Sequence, residues 1–357
     1  MILIKFILFL KIRYNGSKVV MVKDNPTWAV VATVDEPPAL VQAFVAWHLS
    51  LGAAQVFVYC DRPDDPLQDM LGHLPQVTTV ICDEAHWLRV GKSRPRRHQV
   101  RQVRNARDAY ARMQAEWLLH CDADEFLRAG VSVSDVLGDV TQDTDCLVVP
   151  VAERMHLKGA PVATIFEGAF RRPFRDRAAK GRKLFGPDYD LTYKGLTGHA
   201  QGKTFVRGGR PLQMSIHRPR PAHNDQDISM QRAAADTLEL LHFEGLTPTY
   251  WIYKLSRMIH ALAERDGMPP SDHRRKQADA LIAEPKAGSL LYQRLKCPDD
   301  AVLDVLKSRD LYVAQAFNPS DALSRYFPDT AIDLAPQSID AWLRRKKARV
   351  LSYLHGK

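Results

Sequence analysis

The chain has 357 residues, enough for one large domain or about two ordinary ones, and its 45% apolar and 25% charged residues are the balance of a soluble globular protein. A formal charge of +9 and a pI near 9.3 favour anionic partners: nucleotides, phosphorylated lipids, acidic glycans, nucleic acid or a membrane face. The five cysteines (Cys60, Cys82, Cys121, Cys146 and Cys297) are widely spaced and form no CxxC pair, which argues against a zinc site and a disulfide framework and suits a reducing cytoplasm.

The opening segment, Met1 to Ile12, is apolar but carries Lys5 and Lys11. It is far shorter than the roughly 20 apolar residues of a spanning helix. It lacks a basic start and a small-residue cleavage site, so a signal peptide is not expected. A membrane-surface anchor, an extra strand, or a true start at Met21 are the readings left, and residues 1–27 are taken as an extension.

The globular pattern begins at Trp28–Val34 (WAVVATV), a continuous apolar run suited to a buried parallel strand. Pro37-Pro38 opens a helix in which Leu40, Phe44, Trp47 and Leu51 recur at helical spacing, with Gly52 as its stop. A second strand, Gln55–Cys60, ends at Asp61. Pro66–Leu74 reads as a short helix and Thr78–Cys82 as a third strand. His98–Ala115 reads as a helix and Trp117–Cys121 as a fourth strand. Such alternation predicts an α/β fold with a Rossmann-like, mostly parallel sheet. A helical stretch is expected after Phe126, then a strand at Cys146–Val151. Residues 154–220 read as irregular loops rich in Gly, Arg and Lys. From Asp227 the chain reads as mostly helical, ending in a basic helix over 338–357 that suits solvent or a membrane surface. The expected division is a catalytic domain over 28–225 and a helical region over 226–357.

The densest chemistry lies in Glu116-Trp-Leu-Leu-His-Cys-Asp-Ala-Asp-Glu-Phe126, where an apolar run drives toward Asp122, Asp124 and Glu125. On an extended chain carboxylates at i and i+2 share a side, so Asp122 and Asp124 are expected to face one site. Two acids so placed repel unless a cation sits between them, and hard oxygen ligands suit Mg²⁺ or Mn²⁺, ions that usually arrive with phosphate. Asp35, Glu36, Asp61, Asp83 and Asp122 all fall at or beyond strand carboxyl ends, where open α/β sheets bind ligands. The stretch Arg89–Arg112 carries nine Lys or Arg residues. Arg101 and Arg104 are expected nearest the site, in the helix that precedes the acidic motif.

These residues resemble a known group. The strand WAVVATVDE, a helix carrying Trp47-His48 and Leu51-Gly52, the strand FVYCD, Arg101-Gln102 with Arg104-Asn105, and EWLLHCDADEFL occur in order. Downstream come His199-Ala-Gln-Gly-Lys203-Thr-Phe-Val-Arg207, Ser215-Ile-His217, and Leu241-His242-Phe243 with Lys254 beyond. The chain from Trp28 to Arg257 is similar to family 2-like and family 92-like glycosyltransferases of the GT-A fold. That resemblance implies a metal-dependent, inverting transfer of sugar from a nucleotide-diphosphate donor to a glycan or lipid-linked acceptor. It implies Asp122 and Asp124 as the metal pair with His217 as a third ligand or diphosphate contact. Lys203 and Arg207 would face diphosphate or acceptor, Glu36 and Asp61 would lie near base and ribose, and Lys254 would be available to phosphate. The chain departs from the pattern at Asp35-Glu36, where relatives commonly show Asn-Glu, and in the insert Arg172–Tyr193.

An inverting enzyme needs a carboxylate to take the acceptor proton. Glu125, Glu153, Glu167, Asp188 and Asp190 are candidates, with Glu125 favoured as nearest the metal pair. Three other functions compete. A haloacid-dehalogenase-type phosphatase would carry its Asp-x-Asp on the first strand, followed by Thr or Val. A nucleic-acid binder would interleave aromatic residues among the cations of Arg89–Arg112, where Tyr110 stands alone, so that pattern is missing. A non-catalytic carbohydrate-binding relative would not need the intact acid trio.

Overall fold

The structure, a computed structural model, describes residues 12–15, 18–21, 25–223, 227–263, 270–314 and 316–352. Residues 1–11, which hold most of the apolar opening segment, lie outside the described residues, as does the end of the basic tail. Two short strands, β1 (Ile12–Asn15) and β2 (Lys18–Met21), pair antiparallel.

Four strands then build the parallel half of a sheet: β3 (Trp28–Val34), β4 (Gln55–Cys60), β5 (Val77–Ile81) and β6 (Trp117–His120). They lie in the order β5-β4-β3-β6, so the chain leaves β3 in one direction and returns on its other side. That reversal opens a crevice between the carboxyl ends of β3 and β6. β3 is buried along its whole length because both faces are covered. Val30, Ala32 and Val34 pack toward helix Pro38–Ser50 with Phe44, Leu119 and Phe205. Ala29 and Val31 pack toward helix His98–Arg112 with Phe57, Leu118 and Val206. Each side chain of this size contributes roughly 1.5–3 kcal/mol when fully buried. Pro38 starts its helix where a missing N–H costs nothing, and Trp47 Nε1 donates to Leu127 O at 2.7 Å, fastening that helix to the strand Glu125–Ala129.

The remaining strands are β7 (Glu125–Ala129), β8 (Cys146–Val149), β9 (Val151–Met155), β10 (Ala169–Arg171), β11 (Lys203–Arg207), β12 (Leu212–Gln213), β13 (Arg220–Pro221), β14 (Met230–Arg232), β15 (Leu238–His242) and β16 (Tyr312–Val313). β11, β8 and β14 extend the first sheet to seven strands, β11 running antiparallel between β6 and β8. A second, five-stranded sheet has the order β16-β10-β9-β15-β7. β12 and β13 pair with each other.

The chain passes from the first sheet into the second at three places: the acidic turn between β6 and β7, residues 121–124; Pro150, between β8 and β9; and residues 233–237, between β14 and β15. The acidic motif is therefore one joint between the two sheets.

Several expectations need correction. Glu125–Ala129 is a strand, because each of its residues pairs with one of Leu238–His242 in the second sheet, and the helix expected after Phe126 starts only at Val133. Residues 154–220 include β10, β11 and helix Ala178–Phe185. β15 lies beyond residue 225 and pairs with both β7 and β9, so one sheet draws on the chain from either side of the expected boundary. The basic tail helix, Pro336–Lys346, buries Ile339 and Leu343 and leaves Arg344, Arg345 and Lys346 exposed. Among the described residues no helix is long and apolar enough to cross a membrane.

Candidate functional site

Asp122 and Asp124 meet different lysines. β6 stops at His120, and the Glu125 N–H donates to the Asp122 carbonyl at 3.0 Å, closing a turn. The alternation of an extended strand is lost there, and the two carboxylates diverge. Asp122 faces Lys203, whose Nζ lies 3.0 Å from its Oδ2, and accepts a bond from Gln102 on helix His98–Arg112. Asp124 faces Lys254 of helix Pro248–Ala263, with Nζ 2.6 Å from Oδ2.

Lys203 is fully buried at the start of β11. Gly202 sets it there: its φ is +74°, and a Cβ would lie 2.0 Å from Val149 O, so only glycine lets β11 approach β8 so closely. Burial alone would lower the Lys203 pKa, but the Asp122 and Glu125 carboxylates outweigh it and hold the ammonium charged. Glu125 Oε2 lies 3.1 Å from Nζ and also accepts the Asp122 N–H at 2.8 Å. Burial would raise Glu125; the Lys203 charge chiefly, with a bond from His199, brings it down to about 2.

A second set of charges surrounds Asp124. Lys254 Nζ also reaches Glu244 Oε2 at 2.8 Å, and Arg274 donates to Glu244 Oε1 at 2.6 Å. His242 Nε2 stands 3.5 Å from Glu244 and 4.0 Å from Asp124. Burial opposes protonation of His242, but Glu244, Asp124 and Glu125 raise its pKa.

Three imidazoles bridge the two sets. His199 Nε2 is 2.9 Å from Glu125 Oε1, and its ring centroid lies 4.9 Å from that of His242 and 4.3 Å from that of His217. The Nδ1 atoms of His199 and His242 are buried without hydrogen-bond partners. His217 Nδ1 meets the Gly202 carbonyl at 3.0 Å, and burial, then the Lys203 charge, lowers its pKa to about 3. Two trios bring their ligand atoms within 4.8 Å of one another and could hold a metal ion: Glu125, His199 and His242, and Asp124, His242 and Glu244. The expected trio Asp122, Asp124 and His217 is not brought together in this way: His242, not His217, is common to both groups.

No protein-family model matches the chain, and no curated protein matches it by sequence. Among solved structures, the crystal structure of HddC from Yersinia pseudotuberculosis aligns with a TM-score of 0.27 and 10% identity, over 61% of this chain and 77% of that one. The reading of the site rests on its own chemistry.

The other expected site residues divide. Glu36 follows β3 at the crevice; its Oε2 accepts the Asp35 N–H at 2.6 Å, and burial, with the Asp35 charge adding and Arg257 opposing, raises its pKa to about 7. Asp61 follows β4 and takes two bonds from Arg101, at 2.7 and 2.6 Å. Burial would raise Asp61, and bonds from His98 and Arg101 overcome it. Arg101 is thus tied to Asp61. Arg104 is not at the crevice: it turns to the Ser93 carbonyl at 3.0 Å. Arg207 sits at the far end of β11 from Lys203, because four residues of extended chain separate them; it stacks on Trp117 at 4.1 Å and donates to Thr144 O at 3.0 Å. Of the proposed bases, Glu153 is fully buried and held by Lys296 at 2.9 Å, Thr197 and Gly198, while Asp188 and Asp190 pair with Arg294 and Arg182. Glu167 accepts the Ala163 N–H.

His199, Glu244, Arg274 and Gln102 belong to the cluster but were not singled out as site residues. His242-Phe-Glu244 repeats the i, i+2 spacing of Asp122-Ala-Asp124, and that was a legible signal.

Proposed function

We propose that the chain is a metal-dependent glycosyltransferase of the GT-A type that takes a nucleotide-diphosphate sugar as donor. The observation that carries this reading is the acidic turn itself. Asp122, Asp124 and Glu125 stand at the carboxyl end of β6, beside Glu36 at the end of β3, in the crevice where open α/β sheets take nucleotides. The sequence resemblance, carried in part by the same acidic motif, points to the same reading.

The donor set fits a divalent ion. Two imidazoles, His199 and His242, each with a buried, unpartnered Nδ1, stand among Asp124, Glu125 and Glu244. A mixture of imidazole and carboxylate suits Mn²⁺ better than Mg²⁺, which prefers oxygen and keeps its waters. His242 would hold the ion, either with Asp124 and Glu244 or with Glu125 and His199. When bound, it supplies Lewis-acid stabilisation to a diphosphate leaving group.

This chain's own residues do the rest. Lys254, partly exposed beside Asp124, is the cation placed to meet phosphate oxygens once a metal takes its carboxylate. Lys203 has no exposed surface and serves to hold Asp122 and Glu125 in place. Glu125, with its pKa near 2 and no exposed surface, is a poor proton acceptor and is a positioning residue for Lys203 and His199. Glu36 and Asp61 line the end of the crevice that would take base and ribose. The acceptor is a glycan or lipid-linked hydroxyl, and the exposed Arg344, Arg345 and Lys346 suit contact with an anionic membrane face.

The test is thermal stability of the purified chain against a panel of nucleoside diphosphates, each with and without Mn²⁺. Binding to the folded state raises the midpoint. A rise for one nucleotide, seen only with metal and lost in Asp124→Ala, is the expected result. No rise with any nucleotide, together with phosphate release from simple esters that Asp122→Asn abolishes, would favour the phosphatase instead.

A further inference from the structure

A cavity of about 510 Å³ lies away from the acidic turn, walled by β10, helix Ala178–Phe185, the loop 186–195 and the segment 294–306. None of Asp122, Asp124, Glu125, His199 or His242 lines it. Its volume is that of a small-molecule site.

One wall is aromatic. Phe185 and Tyr189 stack with centroids 5.7 Å apart and planes 13° apart, and Phe174 meets Phe185 edge-on at 5.2 Å. Gly181 makes this possible, since a Cβ there would lie 2.2 Å from Tyr189 Cζ. The other wall is cationic. Arg171, Arg172, Lys194 and Arg294 all face the cavity. Three of them already have partners: Arg171 has Glu153 at 3.4 Å and Leu295 O at 2.8 Å, Arg172 has Glu239 at 2.8 Å, and Arg294 has Asp188.

Lys194 is different. Among the described residues it has no carboxylate partner, only the Tyr193 ring at 5.5 Å. It also sits in an unfavourable backbone conformation. Tyr193 and Leu196 bond to each other across a tight turn, and its two central residues, Lys194 and Gly195, have φ of +57° and +81°. Such a turn favours Asn or Gly at its first central position, and a lysine there carries local strain. Lys194 thus leaves a positive charge unspent beside an aromatic wall.

The geometry points to a second ligand site here, for a ring sugar carrying one acidic group, either carboxylate or phosphate. The apolar C–H face of the ring lies on Phe185 and Tyr189, and the acidic group lies toward Lys194. The site is separate from the carboxylate crevice but joined to it by the chain. Thr197 and Gly198 hold Glu153 a few residues beyond Lys194, and His199 reaches Glu125.

The test is calorimetric titration of the full chain with glucuronate, glucose 6-phosphate, glucose and inorganic phosphate. Glucuronate or glucose 6-phosphate should bind roughly tenfold or more tightly than glucose and free phosphate, the two acids showing which anion is preferred. Lys194→Asn suits the turn and removes the charge, and Phe185→Ala removes the stacking face. Each should weaken the preferred anion roughly fivefold or more while the melting temperature shows the fold intact. Failure of both acids to bind, or binding unchanged in both variants, overturns the proposal. The inference does not rest on the glycosyltransferase reading, and Asp124→Ala separates the two. Binding of the acid sugar retained in Asp124→Ala supports this cavity. Binding lost there, with Lys194→Asn unaffected, puts the anion in the crevice and overturns the second site while leaving the transferase reading standing.

Discussion

Lys203 Nζ and Glu125 Oε2 lie 3.1 Å apart with neither residue exposed to solvent, and the same ammonium reaches Asp122 at 3.0 Å. One cation thus neutralises two carboxylates at the joint between the sheets. Removing it leaves buried charge uncompensated, whereas removing charge on both sides does not. Lys203→Met is expected to cost about 3–5 kcal/mol in unfolding free energy. Lys203→Met combined with Glu125→Gln should recover a substantial part of that loss. Urea unfolding of the two variants checks it, and a double variant as unstable as the single one would refute the shared-cation account.

The two histidines proposed and found separate in their metal role. His242 belongs to both trios that could hold an ion, and His217 to neither. His242→Ala should lower Mn²⁺ affinity by roughly tenfold or more, and His217→Ala by less than about threefold, in equilibrium dialysis. The reverse order would return the ligand role to His217.

Glu36 gives a pH signature. Its folded pKa near 7 stands above the ordinary 4.5, mainly because burial disfavours the charge. Between those values the unfolded chain has lost a proton that the folded chain keeps, so stability falls as pH rises. The Glu36 contribution is fully present below about pH 4.5 and is lost as pH climbs through about 7. Glu36→Gln removes this dependence. The difference in melting temperature between Glu36→Gln and the parent should therefore grow in the variant's favour from pH 4.5 to 7 and level off above. A difference constant over that range would show that Glu36 is ionised throughout.

Arg207 should behave as a packing residue. It covers the Trp117 ring at 4.1 Å and bonds the carbonyls of Thr144 and Thr141. Arg207→Ala is expected to cost about 1–2 kcal/mol of stability and to leave nucleotide and Mn²⁺ affinity unchanged. Loss of ligand affinity in a folded Arg207→Ala protein would bring it back to the site.

What the sequence made legible follows from range. Trp28–Val34, Gln55–Cys60 and Trp117–His120 are strands because local apolar runs suffice to say so, and the alternation with helices gave the parallel half of the first sheet. The second sheet was not legible. β7, β9, β10, β15 and β16 are two to five residues long and scattered from residue 125 to 313, and each is a strand only because its partners are present. The same reason hid the site's second half. Asp122, Asp124 and Glu125 announce themselves as neighbours in sequence, while His199, His242 and Glu244 meet them only through tertiary pairing. An extended-strand reading of Asp122 and Asp124 does not anticipate the bond from Glu125 N to Asp122 O, which bends the chain and sends each acid to its own lysine.

Two of the covalent crossings between the sheets, at residues 121–124 and at Pro150, lie against the residues proposed to bind ligand. A ligand seated there touches groups borne by each sheet: Asp122 and Lys203 from the first, His242 and Glu244 from the second. It therefore acts as a rivet across a seam. Occupancy should protect amide hydrogens on β6 and β15 from exchange together, and a mutation that loosens either sheet should be felt as weaker binding before it is felt as unfolding.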